Sequence, residues 1–451
     1  MRDEGDAVGS NTKRRPRLGT VALGFPGYYL GEEMATAKYG EMLKHLGHQE
    51  LDLVPVGEVV LDGEAARRAG KELAAADVDL MCAVLTTFVP DHYIVELLKD
   101  CDLPIFLWAI EREIGCLSLV GGMLINPTLY ELGRPHQLCG ADVGDMDTTE
   151  ALLAYARASM LRRALREMRV GYIGGNPDIM FSMAPDLYGL NRTMGVTVVP
   201  LRDFEYTRRR ATISDEEARA DWEIVVRAVG RVNVSETDAL AASKAFLALR
   251  QIAEEGGLDA LSVNCWPDLK SIICLPIARL NDLGISAACE GDLYSTILMR
   301  LLYILAGRSA GNGDFLRMYA DTNAIMFSHC GAGALSLARS PEDIVLSESV
   351  ETHDGLAVFF PADQPGTITA VNLMGSQGRF RMAAMVGEVE PTDMSYQGTP
   401  MRVRFDRPVQ EILQAAVRCG AGHHWNLGYG DYGPEFSLLC ELLGIEYNLL
   451  S

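Results

Sequence analysis

The sequence predicts an α/β protein: two doubly wound α/β domains followed by a C-terminal domain rich in antiparallel β-strands. Three observations predict it. From Leu18 to Trp108, short aliphatic runs alternate with stretches of helical spacing, and the same alternation restarts at Arg169. Such alternation is the signature of a parallel sheet covered by helices. After about Ser309 it gives way to short strand-like runs separated by Gly, Pro and Asp, which read as an antiparallel sheet or small barrel. At 451 residues the chain exceeds one ordinary domain. The expected division is a disordered tail at 1–17, an N-terminal α/β domain at 18–168, a central α/β domain at 169–316 and a β-rich domain at 317–451 carrying a histidine motif.

The elements follow in order. Leu18–Gly24 is a β-branched and aliphatic run, and Glu32–Leu46 has helical spacing that stops at Gly47. A strand at Leu51–Val56, a helix at Gly63–Ala75, a strand at Val78–Thr86, a helix at His92–Lys99 and a strand at Pro104–Trp108 complete the first alternation. No Gly-x-Gly-x-x-Gly follows the first strand, so nucleotide binding is not expected. A long helix at Thr148–Met168 leads to the second alternation. Its strands are Arg169–Ile173, Val196–Val199, Ala260–Cys265 and Ile285–Ala288, and its helices are Asp215–Gly230, Glu236–Glu255 and Lys270–Leu283. Beyond it lie strand-like runs at Arg317–Ala320, Ala324–Ser328, Ala357–Phe360, Thr367–Leu373, Phe380–Glu388 and Met401–Phe405. Two helices, Val409–Arg418 and Pro434–Leu443, bracket Gly420-Ala421-Gly422-His423-His424-Trp425.

Composition narrows the class of partner. The formal charge is 40 − 61 = −21, which disfavours nucleic acid and anionic membranes. The apolar runs are too short to span a bilayer, and the N-terminal residues lack the apolar stretch of a signal peptide, so a cytoplasmic protein is expected. Ten cysteines occur without a Cys-x-x-Cys pair, which reads as buried small hydrophobes and disfavours a thiolate zinc site.

The chemistry-bearing residues are few. His423 and His424 are two of only eight histidines, in a Gly-rich stretch that lets backbone approach a ligand. Neighbours in a strand or helix point apart, so only one of the pair can face a given point. Upstream stand Glu290, directly after a strand where α/β ligand sites gather, then Asp321 and His329. Two carboxylates with one or two imidazoles suit a divalent ion with open positions, of the Mn²⁺, Mg²⁺ or Fe²⁺ kind. Such an ion can hold a sugar carbonyl and its neighbouring hydroxyl while the carboxylates move a proton between the two carbons. Each residue also has an ordinary structural reading. Glu290 and Asp292 suit a helix start, Asp321 a turn, and His329 a carbonyl contact.

Taken together these segments resemble the L-fucose isomerase / L-arabinose isomerase family, as a shorter L-fucose isomerase-like branch. The resemblance runs over most of the chain from about Leu18. It is carried by Thr86-Thr87-Phe88-Val89-Pro90, Val170-Gly171-Tyr172-Ile173-Gly174, Glu290-Gly291-Asp292-Leu293, Tyr319-Ala320-Asp321, His329-Cys330-Gly331-Ala332-Gly333 and Gly422-His423-His424. It implies a metal-dependent aldose–ketose isomerase working through an enediol, with Mn²⁺ as cofactor and Mg²⁺, Co²⁺ or Fe²⁺ as substitutes. It implies Glu290 and Asp321 as catalytic acid/base pair and metal ligands, His424 as third ligand, and His329 as a fourth ligand or a substrate contact. Phe88, Trp108, His423 and Trp425 are the expected substrate-binding residues. A homo-oligomer, often a hexamer, is implied, with the N-terminal domain of one subunit closing the site of another.

Two other readings stay open on the residues alone: a metal-dependent aldolase or epimerase on a sugar or sugar acid, and a non-catalytic sugar-binding protein. Arg112, Arg208, Arg209, Arg210 and Arg317 are available to pair an anionic sugar, although arginines of this kind more often serve ordinary surface ion pairs.

Overall fold

The computed structural model describes residues 13–26, 31–111 and 116–451. Contacts divide it into two compact units, one spanning Arg15–Arg163 and the other built on Ala164–Ser451. The first unit is a parallel sheet of β1 (Arg17–Leu23), β2 (Asp52–Pro55), β3 (Leu80–Leu85), β4 (Ile105–Ala109) and β5 (His136–Gly140), in the order β2-β1-β3-β4-β5. The aliphatic strands β3 and β4 are buried throughout, as central parallel strands must be. Neither β5 nor the helix Ser118–Glu131 before it was expected. The helix carries Gly121, Gly122 and Pro127, which break the helical signal, yet the glycines serve its packing. A Cβ on Gly121 would lie 2.6 Å from the backbone nitrogen of Val89.

The second unit contains a parallel sheet and a barrel. β6 (Arg169–Ile173), β7 (Thr197–Leu201), β9 (Ala260–Val263) and β10 (Ser286–Ala288) form the sheet in the order β10-β9-β6-β7. The short β8 (Arg231–Asn233) instead pairs with β13 (Val345–Ser347), which pairs with β14 (Ala357–Phe359). The remaining strands are β11 (Gly311–Tyr319), β12 (Ala324–Ser328), β15 (Thr367–Ser376), β16 (Arg379–Glu390), β17 (Met401–Arg404), β18 (His424–Tyr429) and β19 (Glu446–Leu449). They run in the order β15-β18-β11-β12-β17-β16, and β15 pairs again with β16, which closes the ring. Closure leaves no exposed edges among these six strands. β19 lies parallel on the half of β16 that β17 leaves free. Ile325, Phe327, Ile368, Met385, Val403 and Leu427 belong to the core packed around this barrel.

The barrel begins earlier than the expected boundary at 317. Gly311-Asn312-Gly313-Asp314 reads as a turn but forms the start of β11. A Cβ on Gly313 would approach Ser328 N to 2.9 Å, so a glycine here allows β11 and β12 to cross closely. The parallel sheet and the barrel lie within the same compact unit.

Candidate functional site

One end of the barrel and the carboxyl end of β10 meet in a cluster of acids and imidazoles. His424 is the first residue of β18 and pairs across the ladder with Asp314 on β11. Asp314 in turn pairs with Ser328, the last residue of β12, so His329 follows on the adjacent strand. Glu290 follows β10 by two residues with φ +58°, and Gly291 has φ +62°. The left-handed conformation costs a non-glycine residue roughly 1–2 kcal/mol, and such strain persists only where the surroundings enforce it. Asp292 then caps the helix Leu293–Ala306, accepting from the backbone N–H of Ser295 at 2.9 Å and from its hydroxyl at 2.6 Å.

The distances define a single centre. His424 Nε2 lies 3.1 Å from His329 Nε2, 3.5 Å from Glu290 Oε2 and 3.8 Å from Asp314 Oδ1. Glu290 Oε1 lies 4.0 Å from His329 Nε2. Around an ion with bonds of about 2.1 Å, ligand atoms at right angles lie about 3.0 Å apart and opposite ones about 4.2 Å. All four separations fall in that interval, and the donor set is the mixed oxygen and nitrogen set of a divalent ion. His424 Nδ1 donates to Asp292 Oδ2 at 2.8 Å, which turns Nε2 toward the centre. Asn372 holds the backbone on both sides, donating to the His424 carbonyl at 2.7 Å and accepting from Gly422 N at 3.0 Å.

The electrostatics favour positive charge here. Burial lowers the His424 pKa, but the hydrogen bonds to Asp292 and Glu290 outweigh it and lift the value to about 9. Burial raises the Glu290 and Asp292 carboxyls, yet the contact with His424 more than offsets this and holds both below the usual carboxylate values. Glu290, Asp292, His329 and His424 are all buried, whereas the Asp314 side chain is about a third exposed (36%). Asp314 is therefore the acid on the open side.

Several expected site residues fall elsewhere. Asp321 lies in the exposed turn after β11, five or more strand residues beyond Asp314 and hence about 16 Å along the strand. It is not brought to the cluster, and Asp314 stands where the second acid was expected. The turn-like Gly-Asn-Gly-Asp composition hid Asp314; its only sequence signal was an acid directly after a glycine, a few residues past a helix. Trp108 is fully buried in β4, its indole N–H donating to the Ala141 carbonyl at 3.1 Å, so it cannot stack on a substrate. Trp425 points into the barrel core beside Phe315, because it alternates to the face of β18 opposite His424, which points toward Glu290 and Asp292. Phe88 is half-buried, edge-on to Phe25 at 6.1 Å. His423 is exposed, with its ring centroid 4.1 Å from that of His424, and its nearest imidazole nitrogen is also within reach of Glu290 and His424. Arg209 pairs with Glu255, Arg210 lies over Tyr206 and Arg317 over Tyr319; Arg112 lies outside the described residues.

The cysteines are less scattered than their spacing suggested. Cys289 and Cys330 adjoin His329, their sulfurs 3.6 and 3.2 Å from Nδ1. Cys265 lies beside Cys289, and Cys274 beside Cys330.

With this geometry in place, the likeness to known proteins defines a class. The chain is similar to sugar isomerases, and these relatives indicate that it is an isomerase enzyme. Sulfoquinovose isomerase of Priestia aryabhattai is 24% identical over 379 residues, covering 82% of this chain and 85% of that protein. Sulfoquinovose isomerase of Clostridium sp. (strain MSTE9) is 25% identical over 394 residues, covering 82% and 87%. L-arabinose isomerase of Clavibacter sepedonicus is 26% identical over 190 residues, covering 39% and 37%. The expected resemblance thus narrows: these names support a sugar-isomerase family, and not L-fucose isomerase in particular. No family model matches the chain. A solute-binding protein from Burkholderia multivorans aligns at 13% identity over 66% of this chain and 95% of that one, but its TM-score of 0.20 carries no argument. Among the described residues, no helix is long and apolar enough to cross a membrane.

Proposed function

We propose that this protein is a metal-dependent aldose–ketose isomerase that moves a proton between C1 and C2 of a sugar through an enediol. The observation that carries the reading is the convergence of Glu290, His424, His329 and Asp314 on one centre, with Asp292 fixing the tautomer of His424. Glu290, Asp314 and His424 would hold a divalent ion, Mn²⁺ by the hardness of the oxygen donors, with His329 as a fourth ligand or a substrate contact. When bound, such an ion supplies Lewis-acid polarisation of the sugar carbonyl and stabilises developing negative charge.

The remaining work belongs to the chain. Glu290 is buried and held ionised by its imidazole neighbours, so it is available as a base toward the C2–H of an aldose. Asp314, on the exposed side of the same imidazole, is placed to exchange a proton at the other carbon or its oxygen. Burial of the Glu290 side excludes water from one face of the intermediate. The relatives named for sulfoquinovose make a sulfonated aldose the first substrate to try, with neutral aldoses beside it. A homo-oligomer is part of the reading, and Phe88 remains the candidate from the N-terminal unit to approach a neighbour's site.

The test is isomerisation in D₂O with Mn²⁺, using sulfoquinovose, L-fucose, L-arabinose and D-mannose. Solvent deuterium should appear on the product carbon. Glu290→Gln and Asp314→Asn should each lower turnover by roughly 10²–10⁴. Turnover without deuterium exchange would point to a hydride shift, and full activity in either variant would remove that residue from the acid/base pair.

A further inference from the structure

Four of the ten cysteines gather behind the acid–imidazole centre. Cys265 follows β9, Cys274 opens the helix Cys274–Asp282, Cys289 follows β10 and Cys330 follows β12. Each lies at an element end and all four are buried. Cys101 belongs to the apolar core of the first unit and Cys440 lies beside Met382, the ordinary place for a small hydrophobe; Cys265 and Cys289 also border an apolar core, but Cys289 and Cys330 face an imidazole as well. Two of the four, Cys289 and Cys330, face the far nitrogen of His329, and Cys265 and Cys274 lie beside them. Cys330 Sγ lies 3.2 Å and Cys289 Sγ 3.6 Å from His329 Nδ1, and one ligand atom from each of the three residues fits within a span of 4.8 Å.

With Zn–S of about 2.3 Å and Zn–N of about 2.1 Å, ligand atoms in a tetrahedron lie roughly 3.6–3.8 Å apart. The Cys289 sulfur already lies at such a distance from His329 Nδ1, 3.6 Å, and the Cys330 sulfur, at 3.2 Å, would move outward by a few tenths of an ångström on binding. The ring of His329 separates two sets of donors: its Nε2 faces His424 and Glu290, and its Nδ1 faces the sulfurs. Zinc coordinated by Cys and His through a tetrahedron is a well-matched soft site, whereas Mn²⁺ or Mg²⁺ prefers the oxygen-rich side.

We propose that Cys289, Cys330 and His329 Nδ1, with Cys265 or Cys274 as the fourth ligand, form a second cation site for a soft divalent ion such as Zn²⁺, back to back with the acid–imidazole centre and sharing His329 as its wall. Each thiol that binds releases its proton as it becomes a thiolate. The site is distinct from the hard-ion centre in its donors and in the ion it selects.

The experiment is a titration of the full-length, chelator-treated and reduced protein with Co²⁺ and then Cd²⁺, followed by ultraviolet and visible absorption. A stoichiometric sulfur-to-metal charge-transfer band, with the intense visible bands of tetrahedral Co²⁺, is expected and should be displaced by Zn²⁺ but not by Mn²⁺. The Cys289→Ser/Cys330→Ser variant should lose the band, while Glu290→Gln should keep it. No band in the wild-type protein, or a band that survives the double cysteine variant, overturns the proposal. If that variant does not fold, X-ray absorption of the wild-type zinc complex decides instead. Two or three sulfur neighbours with nitrogen support the site, and none or one refutes it.

Discussion

Asp292→Asn separates the geometry of the candidate centre from the stability of its fold. The carboxylate has two tasks: it accepts from Ser295 at the start of the helix Leu293–Ala306, and it accepts from His424 Nδ1 at 2.8 Å. Asparagine is as good an N-cap as aspartate, so the helix start should lose only a few tenths of a kcal/mol. The histidine contact changes in kind. An amide NH₂ facing Nδ1 would invert the His424 tautomer and place its N–H on Nε2, toward the centre. Removing a partner that orients a metal-binding histidine typically costs 10–100-fold in metal affinity or activity. At about 1.4 kcal/mol per tenfold, that is roughly 1.4–2.8 kcal/mol of binding free energy. The assay is Mn²⁺ binding by calorimetry beside a thermal melt of the metal-free protein. A melting temperature within a few degrees of wild type together with at least tenfold weaker Mn²⁺ binding is expected. Wild-type Mn²⁺ affinity in a folded Asp292→Asn protein would refute the orienting role.

Asp321→Asn should leave turnover unchanged while Asp314→Asn abolishes most of it; equal effects in a kinetic assay would restore Asp321 as the second acid. Trp425→Ala should destabilise the protein by about 3–5 kcal/mol, as measured by denaturant unfolding, because a buried core aromatic is lost and not a substrate contact. Asn372→Leu should cost about 1–3 kcal/mol in the same assay by leaving the His424 carbonyl and Gly422 N–H without their partner. Asp186 accepts from Gly189 N at 2.8 Å and Gly378 N at 2.6 Å, and these backbone bonds hold its carboxyl below the usual value. Its folded pKa is thus lower than its unfolded pKa, so its contribution is fully present above the unfolded value near 4 and is lost as pH falls through the folded value. Thermal melts from pH 7 to pH 3 should show Asp186→Ala losing about 1 kcal/mol at neutral pH and the gap to wild type closing with acid; a gap constant down to pH 3 would contradict this.

By itself the sequence determined the class of fold. The alternation of aliphatic runs with helical spacing dictated the two parallel sheets, since only strands buried on both faces by helices read that way. The segments around Glu290 and the histidine pair were legible too, because a carboxylate just beyond a strand and a Gly-flanked His are local signals. The rule that adjacent residues face apart did not say which His of the pair would face the centre; His424 is the buried one, and exposed His423 also lies within reach of Glu290. What only the tertiary structure decided is which distant residues share the centre. Asp314 reaches it because β11 lies between β18 and β12, a register set by barrel closure and invisible in a Gly-Asn-Gly-Asp stretch that reads locally as a turn. Asp321, seven residues on, is carried away by the rise of that same strand. The four cysteines converge for the like reason. Their spacing of nine or more residues carries no motif, yet ends of β9, β10 and β12 and a helix start come together where the sheet meets the barrel. Local chemistry is written in neighbouring residues, whereas a site assembled across strand ends depends on pairings that only the folded chain makes.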